Sequence, residues 1–213
     1  MKIAQGGLSW ISAGFTIFII LIFATFFLGG FLQIITYTLS IVFFLIFILL
    51  IIFFRDPERS ISDGITAVAD GRIQTISDTT IYGKKWVRIS TFMNIHNVHV
   101  NRMPLDGRIL KITHIAGGYV PAYRKDSDRN ERIEIKAETS IGEIIIVLIA
   151  GTVARRIVPY IKKGDEIKKG NRIGLIRLGS RVDIYLPIEK VQLSVSVNDR
   201  ILAGVDTIAT INA

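Results

Sequence analysis

Arg132-Ile133-Glu134-Ile135-Lys136-Ala137, followed after a short gap by Gly142-Glu143-Ile144-Ile145-Ile146-Val147-Leu148-Ile149-Ala150-Gly151, is the stretch that decides the fold. The first run alternates apolar and charged residues with a period of two, the pattern of a strand with one dry and one wet face. The second is apolar almost throughout and bounded by glycines, which predicts a strand buried on both faces. Working outward, Trp86-Val87-Arg88-Ile89-Ser90 and Gly107-Arg108-Ile109-Leu110-Lys111-Ile112 repeat the alternation. Asp70-Gly71, Asp106-Gly107, Gly117-Gly118, Lys163-Gly164-Asp165 and Lys169-Gly170-Asn171 supply turn signals between the runs. Only Val153–Ile161 reads as a helix candidate in this part. The expected fold is mainly β, a sandwich or partly closed barrel.

Upstream the composition changes abruptly. No charged residue occurs between Ile3 and Phe54, whereas charges are frequent from Arg55 onward. A spanning helix needs about 20 apolar residues, and Leu8 to Phe54 holds roughly two such lengths, with a break at Gly29-Gly30. The expectation is a transmembrane helical hairpin with spans near Trp10–Leu28 and Ile34–Phe54. Residues 1–54 then anchor a soluble domain over 55–213. Lys2 before the first span and Arg55 and Arg59 after the second place both ends in the cytoplasm by the positive-inside rule. A buried soluble hairpin is the bland alternative, disfavoured because the run has no polar face to show water.

The part from Arg55 onward carries 25 basic and 18 acidic residues, a net of +7. Beside an apolar segment, this excess points to an anionic membrane surface rather than to nucleic acid. The absence of cysteine excludes disulfides, thiolate nucleophiles and cysteine metal sites. Two histidines without a clear third ligand make a weak metal site, so no metal is expected.

Gly179-Ser180 is an ordinary turn or bulge when read alone. A serine hydroxyl after glycine is also suited to attack the preceding carbonyl, because glycine adds no bulk and accepts strained angles. Such an attack needs a base, commonly histidine. The chain has three: His96, His99 and His114. His96 and His99 fall in Phe92-Met93-Asn94-Ile95-His96-Asn97-Val98-His99-Val100, whose valines favour strand or loop. His114 receives no role. Asp70 is first a turn residue, and it would also complete a Ser–His–Asp arrangement by orienting a histidine tautomer. Asp63-Gly64 nearly duplicates it, so spacing does not choose between the two. Arg155 and Arg156, beside a small-residue turn, are a solvated pair or a phosphate contact.

Two resemblances follow. Tyr160 to Gly174, of the form apolar–Gly-Asp–apolar–Lys-Lys-Gly–apolar–Gly, resembles the hammerhead turns of lipoyl-type domains, taken here as scaffold without a modified lysine. More specifically, a set of segments in order resembles the short form of the phosphatidylserine decarboxylase family. They are Phe53-Phe54-Arg55-Asp56-Pro57-Glu58-Arg59, Ala69-Asp70-Gly71, Phe92 to Pro104, Asn130-Glu131-Arg132, Ile149 to Ile157, and Gly174 to Pro187 with Leu178-Gly179-Ser180-Arg181-Val182-Asp183 inside it. Many relatives place Thr or Ser after the Gly-Ser; Arg181 fits the short branch.

The resemblance implies a proenzyme that cleaves itself between Gly179 and Ser180. The products would be a 1–179 β chain and a 180–213 α chain, the latter headed by a pyruvoyl group formed from Ser180. That carbonyl would form a Schiff base with the amine of phosphatidylserine or archaetidylserine and draw electrons from the departing carboxylate, so that no pyridoxal is needed. The resemblance assigns His99 as processing base, Asp70 as its orienter and His96 to the decarboxylation step. Expected partners are the membrane phospholipid and the protein's own two chains, with a homo-oligomer allowed and nucleic acid not expected. Rival readings are a pyruvoyl decarboxylase of a soluble amino acid, a membrane-anchored adaptor that stays uncut, and an inactive family member that binds lipid.

Overall fold

The computed structural model describes residues 2–118, 120–121, 128–151, 157–177 and 180–212. The chain divides into two compact units, one ending at Glu58 and the other beginning at Arg59.

In the first unit, β1 (Lys2–Ile3), α1 (Leu8–Ala24), α2 (Gly30–Phe53) and β2 (Arg55–Asp56) follow in order. The helices form an antiparallel hairpin, with Phe15 on Phe47 and Phe18 on Phe44 at ring separations of 5.2 and 5.3 Å. The unit runs past Phe54 because β2 pairs antiparallel with β1. The helix bounds differ from those expected. α1 stops at Ala24, where the Thr25 hydroxyl bonds back to the Ile22 carbonyl at 2.6 Å. α2 starts four residues early, at Gly30, whose φ of +58° suits glycine. Consequently one helix, α2, is long and apolar enough to cross a membrane by length and composition. At 17 residues α1 measures about 25 Å, short of the roughly 30 Å hydrocarbon core.

The second unit is mainly β, built on a curled half-barrel sheet. Its strands are β3 (Ile65–Thr66), β4 (Gly71–Ile81), β5 (Lys84–Met93), β6 (Val100–Arg102), β7 (Gly107–Ile115), β8 (Arg132–Thr139), β9 (Gly142–Ile149), β10 (Ile157–Pro159), β11 (Glu166–Ile167), β12 (Arg172–Ile176), β13 (Ser180–Pro187), β14 (Val191–Leu193), β15 (Arg200–Ile201) and β16 (Thr207–Ile211). The large sheet has the order β11-β7-β8-β9-β13-β5-β4-β15, flanked by two three-stranded sheets, β10-β12-β6 and β14-β16-β3. Register shifts between Ile73 and Thr75 and between Ile109 and Lys111 add the local twist that lets such a sheet curl.

The deciding stretch becomes β8 and β9. Ile133, Ile135 and Ala137 join Ile144, Ile146 and Leu148 in the main core, with Val182 and Ile184 from β13 and Val87 and Ile89 from β5. On the opposite face Ile145, Val147 and Ile149 pack with Trp86 in a second apolar cluster. β9 is therefore buried on both faces, as its unbroken apolar run requires.

One expectation changes. Ile157–Pro159, inside the helix candidate, is a strand, because its residues pair with Gly174 to Ile176 of β12. In the segment likened to a hammerhead, β11 joins the large sheet through β7 and β12 joins β6 and β10.

Candidate active site

Ser180 is the first residue of β13, the strand held between β5 and β9. Side chains alternate along a strand, so Ser180 shares the core face with Val182 and Ile184. It is fully buried, and its Oγ has no hydrogen-bond partner among the described residues. Its cross-strand neighbour is Met93 at the end of β5. The Met93 Sδ in turn faces the Asn101 amide at 3.7 Å.

Beyond Met93 the chain turns tightly. Asn97 Oδ1 accepts the Asn94 N–H at 2.8 Å, and the Asn94 carbonyl accepts the Asn97 N–H at 2.9 Å. This turn exposes His96 and returns the chain to His99, which is fully buried just before β6. The Ile176 N–H donates to the His99 carbonyl at 3.3 Å. His99 is thus tied to β12 four residues before Ser180, while Met93, six residues before His99, lies opposite Ser180. Ser180 and His99, 81 positions apart in sequence, are thus both fully buried and each linked to the segment around Met93 and Ile176. The Nδ1 of His99 lies 2.9 Å from the Asn97 carbonyl. A carbonyl only accepts, so Nδ1 carries a proton, and in the neutral ring the lone pair is then on Nε2.

Asp70 is also buried, but it is engaged elsewhere. Arg59 grips it with two hydrogen bonds, Nη1 to Oδ1 at 2.5 Å and Nη2 to Oδ2 at 2.7 Å, and the Ala203 N–H adds one to Oδ1 at 2.8 Å. His99 Nδ1 contacts the Asn97 carbonyl. Asp63 is exposed, and its backbone carbonyl accepts the Thr207 hydroxyl. His114 is a surface residue with Nε2 3.1 Å from Glu131. Met93 is fully buried. Arg155, Arg156 and Gly179 lie outside the described residues.

Sequence reasoning missed a charged group immediately after Ser180. The Arg181 guanidinium binds Asp183 through Nε at 2.9 Å and Nη2 at 3.0 Å, and also binds Asp128. Arg88 reaches the same two carboxylates, at 2.7 Å from Asp183 and 2.9 Å from Asp128. Burial alone would raise the Asp128 pKa, but Arg181 and Arg88 outweigh it and hold the carboxyl below its usual range. The i, i+2 spacing of Arg181 and Asp183 on one strand face was the available signal. Asn101, whose buried Oδ1 has no hydrogen-bond partner among the described residues, gave none.

Among the described residues no group of three or more His, Cys, Asp and Glu is arranged to hold a metal. The donor set at Ser180 fits a covalent carbonyl made from the serine itself, since the hydroxyl is held inside the core face with no competing hydrogen bond.

Known proteins share much of this sequence. The family model described as phosphatidylserine decarboxylase matches residues 46–209. A phosphatidylserine decarboxylase proenzyme of Streptomyces avermitilis is 49% identical over 157 residues, covering 73% of this chain and 71% of the relative. A protein of Methanococcoides burtonii, provisionally named archaetidylserine decarboxylase proenzyme, is 41% identical over 207 residues, 97% of this chain and 95% of the relative. A similarly named protein of Methanosarcina barkeri is 45% identical over 162 residues, 76% of this chain and 77% of the relative. With the matched region taking in β5, β13, His99 and Ser180, this chain belongs to the phosphatidylserine decarboxylase family.

Proposed function

We propose that this protein is a self-processing, pyruvoyl-dependent decarboxylase. Its substrate would be a serine-headed phospholipid, phosphatidylserine or archaetidylserine, and its product the ethanolamine-headed lipid. The observation that carries this reading is the fully buried Ser180 hydroxyl without a hydrogen-bond partner among the described residues. An unpaired buried hydroxyl costs about 1–3 kcal/mol; the Ser90 hydroxyl on β5 shares this state, and Ser180 is set apart from it by following Gly179 within the family-matched region. A hydroxyl destined for conversion need not be paired.

In the proposed processing, Ser180 Oγ attacks the Gly179 carbonyl while His99 Nε2 takes its proton, and the amide becomes an ester. Loss of the Ser180 Cα proton then breaks the Cβ–Oγ bond and releases the carboxylate of the 1–179 chain. Hydrolysis of the remaining dehydroalanine expels ammonia and leaves the pyruvoyl group at residue 180. The family resemblance assigns Asp70 as the orienter of His99; its carboxylate is held by Arg59, so any such support would add to the Asn97 carbonyl at Nδ1. The pyruvoyl carbonyl would supply the electrophile for the substrate amine and the sink for the electrons of decarboxylation. His96, exposed beside the large groove described below, would return a proton to the decarboxylated carbon. We assign residues 1–54 to membrane attachment and 55–213 to the decarboxylase domain, on the cytoplasmic face of the cell membrane. A tethered domain meets a lipid that rarely leaves the bilayer.

The test is the intact mass of the purified protein beside a Ser180→Ala control. The expected result is two pieces split at 179/180, the smaller ending in a carbonyl that hydroxylamine modifies, and an uncut control. A single uncut chain from folded parent protein would sink the proposal and favour an adaptor or an inactive family member.

A further inference from the structure

Arg200 on β15 lies directly opposite Arg72 on β4. Like charges directly across an antiparallel pair are destabilising, so this pairing calls for an anion. Elsewhere on this sheet face the arginines already have partners. Arg181 and Arg88 share Asp128 and Asp183, and Arg132 donates to the Asp128 and Asn130 carbonyls. Arg72 makes one hydrogen bond among the described residues, Nε to the Asn198 carbonyl at 3.0 Å, which aims the guanidinium and leaves both Nη groups for a ligand. Asn198 is itself fixed, because its N–H donates to the Ile73 carbonyl at 2.8 Å. Arg200 has no ion pair among the described residues.

Both arginines line a cavity of about 720 Å³ that also takes in Asn94, His96 and Asn97. Asp206 lines it too, but its carboxylate accepts the Leu202 N–H at 2.7 Å and bridges neither arginine. At this end of the unit Ile95 and Leu202 are exposed, at 41% and 46%. Apolar side chains beside a cationic groove suit a surface that works at the edge of a bilayer.

We propose that Arg72 and Arg200 form the subsite for the phosphodiester of the lipid headgroup, in the groove that His96 borders. The assignment rests on the function proposed above and names where its substrate is gripped. One phosphodiester anion between the two guanidinia cancels their repulsion and takes the planar N–H pairs that arginine offers to phosphate.

The experiment uses the full chain carrying Ser180→Ala, purified in neutral detergent, with glycerophosphoserine as the titrated ligand and serine and inorganic phosphate as comparison ligands. Arg72→Gln and Arg200→Gln should each weaken glycerophosphoserine binding about tenfold, as expected for loss of one charge-assisted contact. Arg72→Lys should recover part of the loss and Arg108→Gln should change nothing. Serine should bind far more weakly than glycerophosphoserine. Without ligand, Arg200→Gln should melt about 1–3 °C higher because the facing charges are relieved, a gain that a structural arginine would not give. Unchanged affinity in a folded Arg72→Gln, Arg200→Gln double variant overturns the subsite. Equal affinity for inorganic phosphate and glycerophosphoserine overturns the lipid headgroup as its ligand. Self-cleavage of the parent separates the two readings. If the parent cuts at 179/180 and the double variant binds normally, only the arginine subsite fails. If the parent does not cut, the decarboxylase reading fails, and the arginine pair is judged on phosphate binding alone.

Discussion

At the scale of single residues, the two histidines separate cleanly by environment. His99 is fully buried, with its tautomer fixed by a backbone carbonyl, while His96 is exposed beside a groove. His99→Gln should therefore slow self-cleavage by about 10²–10⁴-fold, the usual worth of a positioned base, read as the fraction of cut chain against time. His96→Gln should cut normally but release little carbon dioxide from serine-headed lipid; a defect in cutting instead would reverse the two roles. Asp70 poses a sharper question, because its carboxylate already satisfies Arg59. Asp70→Asn is expected to impair cleavage and to destabilise the fold by roughly 3 kcal/mol, the cost of stranding a buried charge. A double variant, Arg59→Met with Asp70→Leu, removes both charges and should restore much of the stability. If it also restores cleavage, Asp70 acts only as the partner of Arg59.

At the scale of elements, β13 carries Ser180 on one face and the Arg181–Asp183 pair on the other. The charged face therefore sets the position of the strand on which the reacting serine sits. The Asp128 pKa is depressed below its ordinary 3.8 because two arginines outweigh its burial. Its contribution to stability is present above that value and is lost as pH falls through the lower folded value. Acid unfolding monitored between pH 5 and 2 should show this loss in the parent, and Asp128→Asn should flatten that part of the curve. The effect is a modest one, since the Asp128 side chain is 55% exposed. Gly71 makes a second demand at this scale. A Cβ there would collide with the Phe92 carbonyl oxygen, so Gly71→Ala must push β4 away from β5. Poor folding, seen as a melting temperature several degrees below that of the parent, is the expected outcome.

At the scale of the whole molecule, the proposed cut leaves two chains that cannot easily part. The segment from Ser180 supplies β13 and β15 to the large sheet and β14 and β16 to a smaller one. β13 is hydrogen-bonded along both edges, to β5 and to β9. Cleaved protein should therefore run as one species in native size-exclusion chromatography and separate only in denaturant. Early loss of the small chain under native conditions would contradict that expectation. Much of this was legible beforehand. The period-two alternation of residues 132–137 and the apolar run of 144–149 are local patterns, and local patterns reveal which faces are dry. The uncharged stretch to Phe54 announced its helices in the same way, although not where they end. The bounds of α1 depended on one threonine back-bond, and the fate of Ile157–Pro159 depended on pairing with β12, seventeen or so residues downstream in sequence.

By itself the sequence determined the chemistry available to this protein: one Gly-Ser step, three histidines, no cysteine, and a basic β domain behind an apolar hairpin. These are properties of composition and short-range order, which need no folding to be read. Only the tertiary structure decided which residues meet. It buried Ser180 and His99, gave Asp70 to Arg59 and the His99 Nδ1 contact to Asn97, and set Arg72 against Arg200 across two strands. Each of these depends on strand order and register between segments distant in the chain. A shift of one residue in register would turn every side chain to the other face, and no local pattern encodes it.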